Sequence, residues 1–419
     1  MIDPRRRWHG VPRRPLPAID GSRHLAWVCA RATTIVLLMC VAAPSSAFAQ
    51  QSVTDVLSFL LTNRSIATDD AARDAEAAAA TRDAISRFLL IELATLPSLS
   101  SSVGFTYRVA RELGGAVVRS SDSFGPAFVE RSLTAGALRP AFGVAYQEAS
   151  FDRIDGRRLD DGTLVATASR LLGQAQPFDV ETLSMRLRTR TMTLSTNVGV
   201  TDRVDVSAAL PLIRLILNGE RVDTLRGTRF VQATARADSS GFGDLAVRLK
   251  YNLLRNAGSG LAVGAEARFP TGATENLLGA GEASLEPRVV GSMEWGRLSF
   301  HTQLGYSFGG LSREVDYGGA VAVVGSPRLT IIGEVLGRRV ASGGRLAETV
   351  AAHPSLIGIE TIRLTGVSEA THRAMVVGGV KWNVASTWLV TASVLRSTTA
   401  AGLTAPVIPA IAVEYSFTR

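Results

Sequence analysis

Beyond residue 100 the chain alternates apolar and polar side chains with a period of two. Leu245, Val247, Leu249, Tyr251 and Leu253 share one face of an extended segment, and Asp244, Ala246, Arg248, Lys250 and Asn252 share the other. The same alternation returns at 261–269, 285–295, 298–308 and 413–417. Successive side chains of a strand point to opposite faces, so each stretch predicts a strand of about ten residues. In each, charged or polar residues oppose the apolar face: Glu266 and Arg268, then Glu286, Arg288 and Glu294, then Ser299, His301 and Gln303, then Glu414 and Ser416. Segments of this length, with one wholly apolar face and one charged face, suit a barrel that turns its apolar side to lipid. Aromatic residues cluster at the strand ends (Phe269, Trp295, Phe308, Trp382, Trp388, Tyr415, Phe417), where amphipathic rings collect at a lipid–water boundary.

Tight turns at 201–203, 255–260, 296–297, 325–327 and 384–387 alternate with long polar stretches at 154–182, 218–241, 270–283 and 341–372. Short turns on one side and long loops on the other are expected of a barrel threaded through an outer membrane. Strand starts near 140, 183, 204, 242, 261, 284, 298, 316, 328, 373, 388 and 407 make twelve. A further hairpin from 103–111 and 127–134 makes fourteen, the count preferred from sequence. The fold class is thus all-β, an antiparallel transmembrane β-barrel of 12–14 strands with an N-terminal α-helical segment.

That segment is 50–99. Val53, Val56, Leu57, Leu60 and Leu61 recur at helical spacing behind a Ser52/Asp55 capping pair. An alanine-rich stretch from Asp69 to about Thr95 follows and is stopped by Pro97. It reads as a plug or periplasmic cap, or as an amphipathic lead-in on the barrel rim.

Residues 1–49 carry seven arginines, an apolar run from Ala32 to Ala43 and an Ala47-Phe48-Ala49 site. This is the pattern of a cleavable secretion signal. The leader accounts for five of the chain's eight net positive charges, leaving +3 for residues 50–419, too little to argue for nucleic-acid binding. Cys29 and Cys40 leave with it, so the mature chain is expected to form no disulfide or thiolate metal site.

Ser123-Phe124-Gly125-Pro126-Ala127-Phe128-Val129-Glu130-Arg131 and Phe142-Gly143-Val144-Ala145-Tyr146-Gln147 resemble the early part of outer-membrane barrels of the meta-pathway phenol-degradation family. Gly241-Phe242-Gly243-Asp244 and Phe269-Pro270-Thr271-Gly272 are similar to that family's recurrent turns. The resemblance implies a transporter of hydrophobic or aromatic compounds. The last strand departs from the usual outer-membrane ending, since Thr418 and Arg419 follow Phe417.

Arg186, Arg188 and Arg190 lie on one face of a strand. Because lipid disfavours an arginine at the midplane by about 2–4 kcal/mol, they are expected to face the lumen. Either they form an anion-attracting ladder, or they pair with Glu266, Glu286, Glu294, Glu334 and Glu414 in a charge-matched interior, the preferred reading. Arg248, Lys250, Arg268, Arg288 and His301 complete the expected lumen lining. The mature chain's histidines are His301, His353 and His372, and no nucleophile elbow or zinc-binding motif accompanies them. Ser299 and His301 share a face but project in parallel. Asp152, Asp155, Asp160 and Asp161 lack the alternating ligands of a calcium loop. The chain is therefore expected to be no enzyme and to need no cofactor or metal. Its expected partners are the outer-membrane lipid bilayer, the outer-membrane assembly machinery and a small-molecule solute. The expected function is a channel for passive uptake or export of small molecules; the alternative is a structural or adhesive barrel with a closed lumen.

Overall fold

The computed structural model describes residues 51–62, 71–94, 96–110, 114–256, 258–342, 344–353 and 355–417. The expected secretion signal and both cysteines lie outside them. Twelve antiparallel strands close into a barrel: β1 (Arg139–Phe151), β2 (Asp179–Gly199), β3 (Val204–Leu225), β4 (Leu245–Arg255), β5 (Gly260–Phe269), β6 (Ser284–Trp295), β7 (Leu298–Gly309), β8 (Glu314–Ser326), β9 (Leu329–Val340), β10 (Thr371–Ala385), β11 (Trp388–Ser397) and β12 (Ile408–Ser416). Each pairs with its neighbours in sequence, and β12 pairs with β1 to close the ring. Closure satisfies every strand edge, which a sheet in hydrocarbon requires.

The faces follow the alternation. Leu249, Val289, Met293, Leu304, Ile331 and Val394 are exposed on the outside, while Lys250, Asn252, Glu266, Ser292, His301 and Glu334 are buried inside. Rings line the rim at the short-turn end, where Trp388 stacks 4.8 Å from Tyr415 and Phe417 meets Phe142 at 5.8 Å. Tyr306 and Phe308 sit 4.6 Å apart towards the other rim. An apolar band between aromatic girdles places the protein in the outer membrane, short turns to the periplasm and long connections outside.

Two expectations change. The barrel has twelve strands, not fourteen: Tyr107–Ala110 and Ala116–Arg119 form a separate two-stranded hairpin, and 127–134 is not a strand. The stretches read as loops at 154–182, 218–241 and 341–372 are largely strands. β2 and β3 run 21 and 22 residues, about twice what a bilayer needs. Their outer halves join strands Thr228–Phe242, Leu164–Leu171, Ile359–Val367 and Arg345–Ala352 in a wall standing above the membrane.

Against this wall lie helices α1 (Val53–Leu61) and α2 (Ala71–Ala94). Ser52 accepts the Asp55 N–H and Asp55 accepts the Ser52 N–H, the reciprocal cap read from the sequence. Val53, Val56, Leu57, Leu60, Ile85, Phe88 and Leu89 pack with Leu183, Met185, Leu187, Leu215, Leu217, Leu346 and Leu364 in one apolar core. Inside the outer half of the wall the faces are thus reversed relative to the membrane zone, with apolar residues inward. The two helices occupy the long-loop mouth; the short-turn mouth, considered above for a periplasmic cap, is filled by the chain before β1.

Candidate lumen site

Residues 98–106 and 120–136 thread the barrel interior on its short-turn side. They contain little regular structure, so their backbone groups need partners from the wall, as irregular chain at membrane depth requires. The wall supplies them. Glu334 accepts the N–H groups of Ala127 (2.6 Å), Phe128 (3.0 Å) and Val129 (2.8 Å) with one carboxylate. Glu414 accepts the Gly104 N–H at 2.9 Å, Asp205 that of Ala135 at 3.1 Å, and Thr330 that of Phe124 at 3.1 Å. Glu294 accepts the Ser121 hydroxyl. Lys381 donates to the carbonyls of Pro126 and Phe124, and Asn252 to that of Ser132. Within the segment Arg131, 1% exposed, donates to the carbonyls of Ser123, Val103 and Gly104. This is a plug held by side chains facing inward from most of the ring.

His301 belongs to the same system. Its Nδ1 lies 2.9 Å from the Ser292 hydroxyl, which also accepts the Ser132 N–H. A Ser–His pair buried under the plug and engaged to its backbone is a brace, without the exposed nucleophile a hydrolase needs. Ser299 bonds Ser123 instead.

Above the plug, a second polar cluster spans β4, β5 and β6. Glu266 binds the guanidiniums of Arg248, Arg268 (2.7 Å) and Arg288 (3.6 Å), and Arg288 also holds Glu286 at 2.7 Å. Arg268 reaches the Ala94 carbonyl at 3.0 Å, satisfying an orphan group at the end of α2, and Arg248 donates to Ser98. Lys250 bridges Asp205 at 3.5 Å, Glu130 at 4.0 Å and the Arg131 carbonyl. Across the lumen Glu92 of α2 joins Arg373 and accepts the Leu403 N–H at 2.9 Å. Arg338 stands 4.0 Å from Glu92 and 3.5 Å from Glu314.

Between the end of α2 and the plug lies a cavity of about 140 Å³. Arg248, Glu266, Arg268, Glu286 and Arg288 form its polar side; Leu96, Leu99, Phe128, Leu336 and Met375 contribute apolar surface.

Arg248, Lys250, Glu266, Arg268, Glu286, Arg288, Glu294, His301, Glu334 and Glu414 lie on the inward faces of their strands. Arg186, Arg188 and Arg190 do not. Leu183, Met185, Leu187 and Thr189 are the buried positions of β2, so the arginines point outward. Arg188 and Arg190 pair with Glu148 of β1 at 3.7 and 3.5 Å, on the outer surface above the lipid band. Lipid does not penalise them because β2 has already left the membrane there. Glu294, Glu334 and Glu414 accordingly serve the plug, not the arginines. Sequence reasoning missed Asp205, Lys381, Glu130 and Arg131. The first two occupy the polar face of alternating strands, and the last two end the Ser123–Arg131 motif, which was read only as a resemblance.

The aspartates considered for calcium pair otherwise: Asp160 and Asp161 with Arg158, Asp155 with the Leu346 N–H. The two family-like turns lock to each other. Thr271 accepts the Leu245 N–H and donates to the Gly243 carbonyl, and Asp244 accepts the N–H groups of Gly272 and Ala280.

Residues 159–320 match the family model described as "Putative MetA-pathway of phenol degradation". The matched stretch runs from the outer wall to β8 and contains the interlocked turns. No curated protein sequence matches the chain. Among solved structures the chain is similar to the COG4313 outer membrane channel from Pseudomonas putida F1, with 12% identity over 67% of this chain and 96% of that one and a TM-score of 0.45. It is also similar to the CymD monoaromatic hydrocarbon channel, with 11% identity over 75% and 98% and a TM-score of 0.27. The translocator domain of the autotransporter NalP from Neisseria meningitidis follows, with 11% identity over 67% and 89% and a TM-score of 0.35.

Proposed function

We propose that the protein is a passive outer-membrane channel for small molecules with an apolar body, closed by the plug in this structure. The observation that carries the reading is the half-apolar, half-charged cavity between α2 and the plug. It offers Phe128, Leu336 and Met375 to a ring or hydrocarbon and a row of guanidiniums to a polar substituent. The phenol-degradation description of the matching family supports an aromatic or similar hydrophobic solute. Passage needs the 126–130 stretch to swing away from Glu334 and Lys381, which requires no covalent chemistry.

A second reading has its own support. The plug's dense bonding to the wall favours a structural or adhesive barrel whose lumen never opens. Planar-bilayer conductance and liposome uptake of phenol, measured on the full chain and on Glu334→Ala, separate the two. The channel reading expects phenol flux above that of protein-free liposomes, rising in the variant. No conductance and no flux in either protein would leave the structural reading.

A further inference from the structure

The outward arginines that the lumen does not use form a patch with its own chemistry. Side chains paired across neighbouring strands share a face, and the register places Glu148, Arg190 and Arg214 in one row, with Arg188, Ile216 and Asp238 in the next. Arg186 and Arg236 flank Asn218 one row further out. Directly below stand the exposed apolar residues Tyr146 (40%), Met192 (41%) and Phe242 (41%), the top of the lipid band on this wall.

The carboxylates do not match the guanidiniums. Arg188 and Arg190 share Glu148, while Arg214 and Arg236 share Asp238 at 2.7 and 3.8 Å. Among the described residues no ion pair involves Arg186, and Glu220 is the next acid outward on β3. The four paired arginine side chains remain 41–66% exposed. Elsewhere around the ring the outward positions towards the long-loop end are mostly apolar or aromatic, as at Phe269, Phe308 and Val394, and the exposed Arg339 of β9 and Arg396 of β11 lie on separate strands. The cluster of five arginines is therefore a feature of this one wall, directly beyond its apolar band.

We propose that this β1–β3 wall binds the phosphate groups of the outer leaflet's phosphorylated glycolipid, lipid A, by the guanidiniums of Arg186, Arg188, Arg190, Arg214 and Arg236. Arginine presents a planar fork that matches phosphate oxygens, and each carboxylate of the patch is already divided between two guanidiniums. Acyl chains then lie along Tyr146, Met192 and Phe242, so one lipid meets both zones of the wall.

The test uses full-length protein in detergent and measures binding of bisphosphorylated lipid A by native mass spectrometry. The same lipid with both phosphates removed is the second probe. Three proteins are compared: wild type, the triple variant Arg188→Gln/Arg190→Gln/Arg214→Gln, and the control Arg339→Gln/Arg396→Gln, which removes two exposed outward arginines of β9 and β11, away from this wall. The expected result is that the triple variant binds at least tenfold more weakly, the control binds as wild type, and wild type binds the phosphate-free lipid at least tenfold more weakly. Equal binding by the triple variant and wild type would overturn the assignment. Equal wild-type binding of both lipids would overturn it too, and that comparison needs no variant to fold.

Discussion

Replacing Glu334 with alanine should open the plug without unfolding the barrel. One carboxylate here accepts three consecutive N–H groups, those of Ala127, Phe128 and Val129, at 2.6–3.0 Å in a site 3% exposed. A hydrogen bond to a charged group contributes about 1.5–3 kcal/mol, and a buried orphan N–H costs about 1–3 kcal/mol. Such terms are not additive and water will enter the space, so about 4 kcal/mol, the low end for three bonds, is a working figure. At 1.36 kcal/mol per tenfold, that raises the open population of the 126–130 stretch by roughly 10³. Glu334→Gln keeps a carbonyl acceptor but turns an NH₂ towards the N–H groups, and should fall between. The assay exploits the absence of cysteine from residues 50–419. With Phe128→Cys as the reporter, an impermeant maleimide should label the Glu334→Ala background orders of magnitude faster, and single-channel openings should become more frequent. Retention of the heat-modifiable gel band would show that the barrel itself persists. If labelling and conductance match those of the parent while the band is retained, Glu334 does not latch the plug.

Three further outcomes follow from the geometry. Leu249→Arg, at an outward site 52% exposed to lipid, should cost about 2–4 kcal/mol and reduce the assembled, heat-modifiable fraction, whereas Ala246→Arg on the lumen side should not carry that lipid cost. Glu266→Gln leaves Arg248, Arg268 and Arg288 without their common charge; breaking a buried ion pair costs about 3–5 kcal/mol, so the temperature at which the heat-modifiable band is lost should drop. In the outer wall, burial pushes the Glu181 carboxyl up to about 7, against the Thr167 hydroxyl and Arg221. The folded wall therefore holds this proton more tightly than the unfolded chain, so stability is greatest below about pH 4 and declines as pH rises through 7. Glu181→Gln should make the wall more resistant to protease than wild type at pH 8, by roughly 3 kcal/mol, with the difference vanishing near pH 4.

Much of this was legible in the chain alone. The period-two alternation of 245–308 fixed which side chains meet lipid, because one residue of slip would turn the whole apolar set inward. The twelve strand starts from residue 140, the Ser52/Asp55 cap and the end of α2 before Pro97 were equally local, decided by side-chain spacing and backbone chemistry. Two features were not. Residues 103–106 and 124–135 include strand-like runs, but backbone groups there bond to Glu334, Glu414, Asp205 and Lys381, partners 70 to about 310 positions away that no local pattern reveals. The outward turn of Arg186, Arg188 and Arg190 was hidden for a different reason. Alternation says which residues share a face, but not where along a 21-residue strand the surroundings change from lipid to water. Below that level the apolar face of β2 looks out to lipid. Above it, α1 and α2 offer an apolar core inside, so the same strand turns its leucines inward and its arginines out. Only the packing of the helices against the wall decided that reversal.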